Sequence, residues 1–164
     1  MYKIRTTYNS EQASFKDVDA LGSFMNNHDN ARWLSSFPNN IPAFQNAVVF
    51  AMTARGIPFF YYGDEQYYSG GNDPANRESL WNNMNTQSDM YKYVAKINQA
   101  RKAASIWESP FIERYVTDHF YSFSKGDMLV MTTNKWDTVD IEMPYLPYAE
   151  GTVVCNIFWA DVDC

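Results

Sequence analysis

Residues 40–66 read NIPAFQNAVVFAMTARGIPFFYYGDEQ, in which a helical pattern is followed by a strand pattern with almost no linker. Asn40 can cap a helix and Pro42 suits a first helical turn. Apolar side chains then recur at helical spacing: Phe44, Val48, Ala51 and Met52. Gly56 stands where a left-handed residue would end the helix. The run IPFFYYG that follows is apolar, aromatic and rich in β-forming residues, so we predict a buried strand directly after the helix.

The same alternation of short apolar strands and helical patterns extends over the chain up to Ser105, and it predicts an α/β fold with a parallel sheet and crossover helices. A second helix is predicted from an N-cap at Ser88 through MYKYVAKINQARKAAS. One face of that helix carries apolar residues: Met90, Val94 and Ile97.

The pattern changes after Ser105. From Ile106 onward the sequence alternates with period two, and the residues Lys125-Gly126-Asp127 form a turn signal between two such segments. Antiparallel hairpins are the structure typical of this pattern. We therefore expect two domains, with residues 1–105 forming the α/β part and residues 106–164 beginning a small β domain.

The amino-acid composition argues against some kinds of binding partner. With 13 basic and 19 acidic residues the net charge is −6, which argues against nucleic acid or an anionic membrane surface as a partner. No apolar run is long enough to cross a bilayer, and MYKIRTTYNSEQ lacks the apolar core of a signal peptide. Aromatic residues make up 17% of the chain, an excess that serves either core packing or stacking against sugar or base rings. Cys155 and Cys164 could form a local disulfide or could have lost other partners.

A polar segment follows the first predicted strand in LGSFMNNHDNARW, residues 21–33. A strand that ends at Phe24 or Met25 would place Asn27, His28 and Asp29 at the carboxyl end of the sheet, where parallel α/β folds bind their ligands. An aspartate there can stabilise positive charge, act as a base or bind hydroxyl groups. The alternative is a structural histidine in a loop whose Asn and Asp residues only form turns.

A second polar segment, GGNDPANRE, lies in the long loop after the second strand. Asp73 and Arg77 could grip a polar ligand, or they could form an ion pair that only stabilises the loop. Both loops follow consecutive strands, so we expect His28, Asp29, Asp73 and Arg77 to converge on one face. We find no metal-ligand spacing, no phosphate-binding glycine loop and no Ser/His/Asp grouping.

Three segments in order, LGSFMNNHDN, GIPFFYYGDEQYYSGGNDPANRE and INQARKAAS, resemble the C-terminal portion of a fungal-type α-amylase of glycoside hydrolase family 13. The resemblance runs from about Leu21 to Ser105. It implies the last two strands and helices of a (β/α)8 barrel, followed by an antiparallel β domain that could be truncated. It also implies that Asp29 is the catalytic carboxylate that stabilises the transition state and that His28, Asp73 and Arg77 bind substrate.

The resemblance further implies a secreted, monomeric parent enzyme that cleaves internal α-1,4 bonds of starch and maltooligosaccharides with retention. The nucleophile and the general acid would lie upstream of Met1, so we expect this chain alone to be inactive. Most ligands of the family's calcium would also lie in earlier segments. Asn26 stands where the family more often has Glu. Two alternatives stay open: a non-catalytic carbohydrate-binding module that uses Asp73, Arg77 and nearby rings, and a soluble scaffold that has lost its activity.

Overall fold

The computed structural model describes residues 1–144, 146–159 and 161–164. Their regular elements are α1 Tyr2–Ser14, β1 Gly22–Phe24, α2 Trp33–Ser36, α3 Ile41–Thr53, β2 Ile57–Phe59, α4 Asp89–Ala103, β3 Ile112–Val116, β4 Phe120–Lys125 and β5 Met128–Thr133. Short 3-10 turns lie at Val18–Ala20, Asp64–Gln66 and Ile106–Glu108. None of the helices in the described ranges has the length and apolar character needed to cross a membrane.

Strands β1 and β2 form the predicted parallel pair, with Gly22 opposite Ile57 and Phe24 opposite Phe59. The chain passes from one strand to the other through α2 and α3, which makes a βαβ unit. Gly56 joins α3 to β2 with a φ of +91°, and a Cβ atom there would lie 2.4 Å from the Leu21 carbonyl oxygen. Only glycine permits this close crossing of the two strands.

The prediction that the second strand is buried is wrong. Phe24, Ile57 and Phe59 are 54%, 52% and 62% exposed. Among the described residues β1 and β2 pair only with each other, so one edge of each strand and much of the sheet surface are left open. The apolar character of IPFFYYG therefore predicted the strand correctly but not its environment.

The caps predicted for the two long helices are confirmed. Asn40 Oδ1 accepts a hydrogen bond from the Ala43 amide at 3.2 Å, and Ser88 Oγ accepts one from the Tyr91 amide at 3.2 Å. The apolar faces of α3 and α4 meet in one core cluster together with α2: Leu34, Phe44, Val48, Met52, Met90 and Ile97. Each fully buried side chain of this size stabilises the fold by about 1.5–3 kcal/mol relative to exposure.

Strands β3, β4 and β5 form the predicted antiparallel sheet in sequential order. Gly126, with a φ of +57°, lies in the turn that joins β4 to β5. The sheet packs on α3, where the Phe50 ring lies 6.3 Å from Tyr121 and 6.1 Å from Phe123. The division into domains at Ser105 stays a prediction.

Two features at the ends of the chain complete the fold. Helix α1 was not predicted, because it buries none of its residues and so has no apolar stripe that the sequence could reveal. It is held to β3 through Arg5 Nε, which donates to Glu113 Oε1 at 2.7 Å.

The open question about the cysteines is resolved, since Cys155 and Cys164 form a disulfide.

We predict that Phe44→Ala lowers the free energy of unfolding by about 3–5 kcal/mol, the usual cost of emptying a phenylalanine site in a packed core. Phe44 is fully buried, and its ring lies 5.8 Å from Trp33 and 6.2 Å from Tyr67. Urea unfolding followed by circular dichroism measures the change. Phe15→Ala, at an exposed phenylalanine, is the matched control and should change stability little. Equal losses in the two variants would contradict this account of the core.

Candidate functional site

The loop after β1 is a tight turn built on Asn27. Its Oδ1 accepts hydrogen bonds from the Asp29 amide at 2.9 Å, the Asn30 amide at 3.1 Å and Asn30 Nδ2 at 3.0 Å. Asparagine is favoured in such turns because its side chain can replace a backbone acceptor. The turn directs His28 and Asp29 outward, with side chains 64% and 70% exposed and with Nε2 and Oδ1 3.3 Å apart.

The loop after β2 brings Asp73 and Arg77 to the same place. Arg77 Nε lies 2.9 Å from Asp73 Oδ1 and donates to the His28 carbonyl oxygen at 3.2 Å. The predicted convergence is therefore present in the structure. We call His28, Asp29, Asp73 and Arg77 the rim. The Asp73–Arg77 ion pair is about half exposed, so both side chains can also reach a polar ligand.

Beneath the rim lies a buried arginine that the sequence analysis missed. Arg32 is fully buried; Nη1 donates to Asp64 Oδ1 at 2.9 Å and Nε to Glu78 Oε2 at 2.7 Å. Nη2 donates to the Tyr62 carbonyl oxygen at 2.9 Å. We call Arg32, Asp64 and Glu78 the Arg32 cluster. Three aromatic rings surround its guanidinium, within 4.3 to 5.3 Å of the ring centres: Tyr61, Tyr62 and Tyr68.

Each carboxylate of the Arg32 cluster connects the arginine to a different part of the long loop between β2 and α4. Asp64 lies five residues after the end of β2, while Glu78 directly follows Arg77. Glu78 Oε1 also accepts from the Ser69 and Gly70 amides at 3.1 and 2.6 Å. Because a buried guanidinium is costly without partners, these contacts bind three segments of the chain into one unit.

The sequence contained one signal for this cluster. Arg32 lies between Ala31 and Trp33, just before a helix whose apolar residues must face the core. An arginine in that position is either turned outward or buried, and a buried arginine needs acidic partners. The sequence could not tell which of the chain's 19 acidic residues those would be.

Asn26 departs from the usual family residue. Both polar atoms of its side chain form hydrogen bonds here. Its Nδ2 donates to Asp64 Oδ1 at 2.9 Å and its Oδ1 accepts from the Trp33 amide at 2.8 Å. Burial raises the pKa of Asp64 from its ordinary value of 3.8 to about 6, although Asn26 and Arg32 both donate to the carboxylate. The amide therefore fits beside a buried acid.

Asn76 connects the Arg32 cluster to the rim. It is fully buried, and its Nδ2 donates to the carbonyl oxygens of His28 and Asn30, both at 2.8 Å. Its main-chain carbonyl oxygen accepts from Arg32 Nε at 3.1 Å. Gly70 makes room for this packing, since a Cβ atom there would lie 1.8 Å from the Ala75 carbonyl oxygen. The sequence analysis assigned no role to Asn76.

The described residues do not fit a calcium ion. No three His, Cys, Asp or Glu side chains come together in the part of the chain that the structure describes. At the rim, Asp29 lies beside His28 and Asp73 is paired with Arg77. The two acids beneath them are bound to Arg32.

We predict that Asp64 makes stability fall as pH rises from about 4 to about 6. With its pKa raised in the folded state, the folded chain binds a proton that the unfolded chain has released, so this contribution is full below pH 4 and lost above pH 6. The difference in free energy of unfolding between wild type and Asp64→Asn should fall by up to about 3 kcal/mol across this window. Urea midpoints at several pH values measure it, and a difference that grows with pH would contradict the prediction.

Comparison with known proteins identifies the family of this chain. A family model for the α-amylase catalytic domain matches residues 1–133. An α-amylase from Schwanniomyces occidentalis is 34% identical over 89% of this chain and 31% of its own length. A β/α-amylase from Paenibacillus polymyxa is 36% identical over 84% of this chain and 12% of its own length. The chain thus spans less than a third of these relatives.

Solved structures agree with the sequence comparison. The α-amylase of Malbranchea cinnamomea matches with a TM-score of 0.76 and 34% identity over 82% of this chain and 30% of that one. An α-amylase from Geobacillus thermoleovorans, determined with acarbose, matches with a TM-score of 0.63 and 26% identity over 77% of this chain and 30% of that one. The predicted fold class, the C-terminal part of a (β/α)8 barrel followed by an antiparallel sheet, is confirmed. With its family match and the βαβ unit that carries the rim, the chain belongs to the α-amylase catalytic-domain family of glycoside hydrolases.

Proposed function

We propose that the full-length protein hydrolyses internal α-1,4-glucosidic bonds of starch and related glucans with retention, and that this chain supplies part of its active site. The observation that carries the proposal is the convergence of four polar side chains, from two loops distant in sequence, on one exposed rim. Membership of a family of glycoside hydrolases supports a sugar as the ligand of that rim.

Asp29 has the role of stabilising the transition state. Glycosidic cleavage develops positive charge on the sugar ring, and a carboxylate close to that ring interacts more strongly as the charge grows. The exposure of Asp29 leaves its carboxylate accessible to a ring, and His28 beside it can donate to a sugar hydroxyl. Asp73 and Arg77 offer an acceptor and a fixed fork of donors for the hydroxyls of a neighbouring glucose unit.

Retaining cleavage needs a nucleophile and a general acid with carboxyl groups about 5 Å apart. Each carboxylate of the rim is already beside a cationic or hydrogen-bonding partner, which suits binding rather than proton transfer. The nucleophile and the acid are therefore proposed to come from other segments of the full-length protein. Calcium is proposed for those segments as well.

Other properties carry over from the family as parts of the same proposal. The full-length protein acts outside the cell, works as a monomer and takes maltooligosaccharides as well as starch. The relatives that match include α-amylases and a β/α-amylase. Residues 1–105 belong to the barrel and residues 106–164 begin the C-terminal β domain.

We predict that the isolated 164-residue chain does not hydrolyse soluble starch at a measurable rate, whereas the full-length protein does. Neither protonation of the leaving oxygen nor capture of the anomeric carbon can be performed by Asp29 alone. A reducing-sugar assay on both proteins at equal concentration measures this. Clear activity of the isolated chain would refute the division of roles, while an inactive full-length protein that still binds acarbose would favour a carbohydrate-binding module.

We predict that Asp29→Asn in the full-length protein lowers kcat by about 10²–10³-fold, the usual effect of removing one group that stabilises transition-state charge. KM should change little, because the interaction grows mainly in the transition state. Asp127→Asn, at an exposed aspartate in the β4–β5 turn, is the matched control and should keep wild-type kcat. A full kcat with a raised KM in Asp29→Asn would assign Asp29 to ground-state binding instead.

A further inference from the structure

We propose that Asn76 is a positioning residue that sets the orientation of the Asp29 carboxylate by holding the backbone on both sides of it. The proposal rests on the proposed hydrolase function. Asn76 donates to the carbonyl oxygens of His28 and Asn30, both at 2.8 Å, and these are the residues directly before and after Asp29. One buried amide group thus bonds to both flanks of the residue that faces the substrate.

The Asp29 side chain cannot set its own position. It is 70% exposed, and the contact that the structure gives its carboxylate is to His28, which is itself 64% exposed. Two exposed side chains restrict each other little, because a solvent-exposed ion pair contributes little energy in water. The direction of the carboxylate therefore follows from the main chain of residues 28–30.

That main chain is held from two sides. Asn27 Oδ1 accepts from the Asp29 and Asn30 amides and so fixes their N–H groups. Asn76 Nδ2 fixes the carbonyl groups from the opposite loop. The first contact is local and can form in an isolated turn, whereas the second joins positions 46 and 48 residues apart and exists only in the folded site.

Asn76 is itself fixed in the interior. Its main-chain carbonyl oxygen accepts from Arg32 Nε at 3.1 Å and from the Tyr61 hydroxyl at 3.2 Å. Arg32 is held in turn by Asp64 and Glu78. Asn76 is therefore joined to Arg32 through its main-chain carbonyl oxygen and to the loop of Asp29 through its side-chain Nδ2. Its neighbour Arg77 donates to the same His28 carbonyl oxygen, so the loop that binds substrate and the loop of Asp29 keep a fixed relation.

The test is Asn76→Asp in the full-length protein. This change keeps the size of the side chain but replaces the NH₂ donor with an oxygen, which repels the His28 and Asn30 carbonyl groups. We expect kcat on soluble starch to fall about 10²-fold, as for a small misplacement of a catalytic group. Asn40→Asp is the matched control: Asn40 is also buried, but its cap uses only an acceptor oxygen, so kcat should be unchanged.

A double-mutant cycle separates positioning from general damage. If Asn76 acts through Asp29, Asn76→Asp lowers kcat about 10²-fold in the wild-type background and far less in the Asp29→Asn background, because groups that act as one unit are not additive. A purely structural role would produce the same loss in both backgrounds. That result, or wild-type kcat in Asn76→Asp, overturns the proposal.

Asn76→Ser covers the case in which a buried aspartate prevents folding. The hydroxyl is uncharged and does not repel the two carbonyl groups, so we expect a smaller loss of kcat with the same dependence on Asp29. Amide hydrogen exchange of the full-length protein adds a measurement that needs no activity. The amides of Asp29 and Asn30 should exchange faster in Asn76→Ser, while the Ala43 amide, capped by Asn40, should not change.

These measurements distinguish two failures. If the wild-type full-length protein does not cleave starch but Asn76→Ser speeds exchange at Asp29 and Asn30, the proposed function fails and the positioning contact stands. If starch is cleaved and neither kcat nor exchange responds to the Asn76 variants, the positioning role fails and the proposed function stands.

Discussion

The buried guanidinium of Arg32 is the constraint on which the site depends. Removing a positive charge from water costs several kcal/mol, and the cost is offset only when carboxylates and carbonyl groups surround it with good geometry. Here the required partners are Asp64, Glu78 and the Tyr62 carbonyl group. They belong to segments 30 to 46 residues away from Arg32, so burial of this single side chain forces the loops after both parallel strands to meet.

In this arrangement the residues that make the site rigid are different from the residues that are exposed to a ligand. In the Arg32 cluster, Arg32 and Asp64 are buried and Glu78 is partly exposed, and both acids are bonded to Arg32, whereas the rim stays open to a ligand. Asn76 connects the Arg32 cluster to the rim but is part of neither. A site that binds a sugar needs exposed polar groups in fixed positions, and exposed groups have little packing of their own to fix them. Interior residues fix the positions of the rim residues through hydrogen bonds to the backbone rather than through contacts with the rim side chains.

The sequence predicted those parts of the fold whose causes are local. Asn40 and Ser88 cap their helices, Gly56 has its positive φ, and the turn at Gly126 joins two strands, because each outcome depends on a few adjacent residues. The four rim residues were singled out from polar segments that follow the two strands, and the family resemblance implied their roles. Arg32 and Asn76 were missed because the partners to which their side chains donate lie 30 to 48 residues away, and no local pattern specifies which acid or carbonyl group a buried donor will find.

Asp29 and Asp64 show how environment divides roles between chemically equal groups. Each aspartate lies within five residues of the end of a strand, Asp29 after β1 and Asp64 after β2, on the face where such folds bind ligands. Asp64 is buried, bonded to Asn26 and Arg32, and has its pKa raised by burial. No substrate can reach it without displacing those partners, so it can serve only as structure. Asp29 lacks such partners among the described residues apart from an exposed histidine, and that freedom leaves its carboxylate available to a developing charge. Sequence position alone would permit either aspartate to face the ligand; the buried arginine, by binding one of them, decides which.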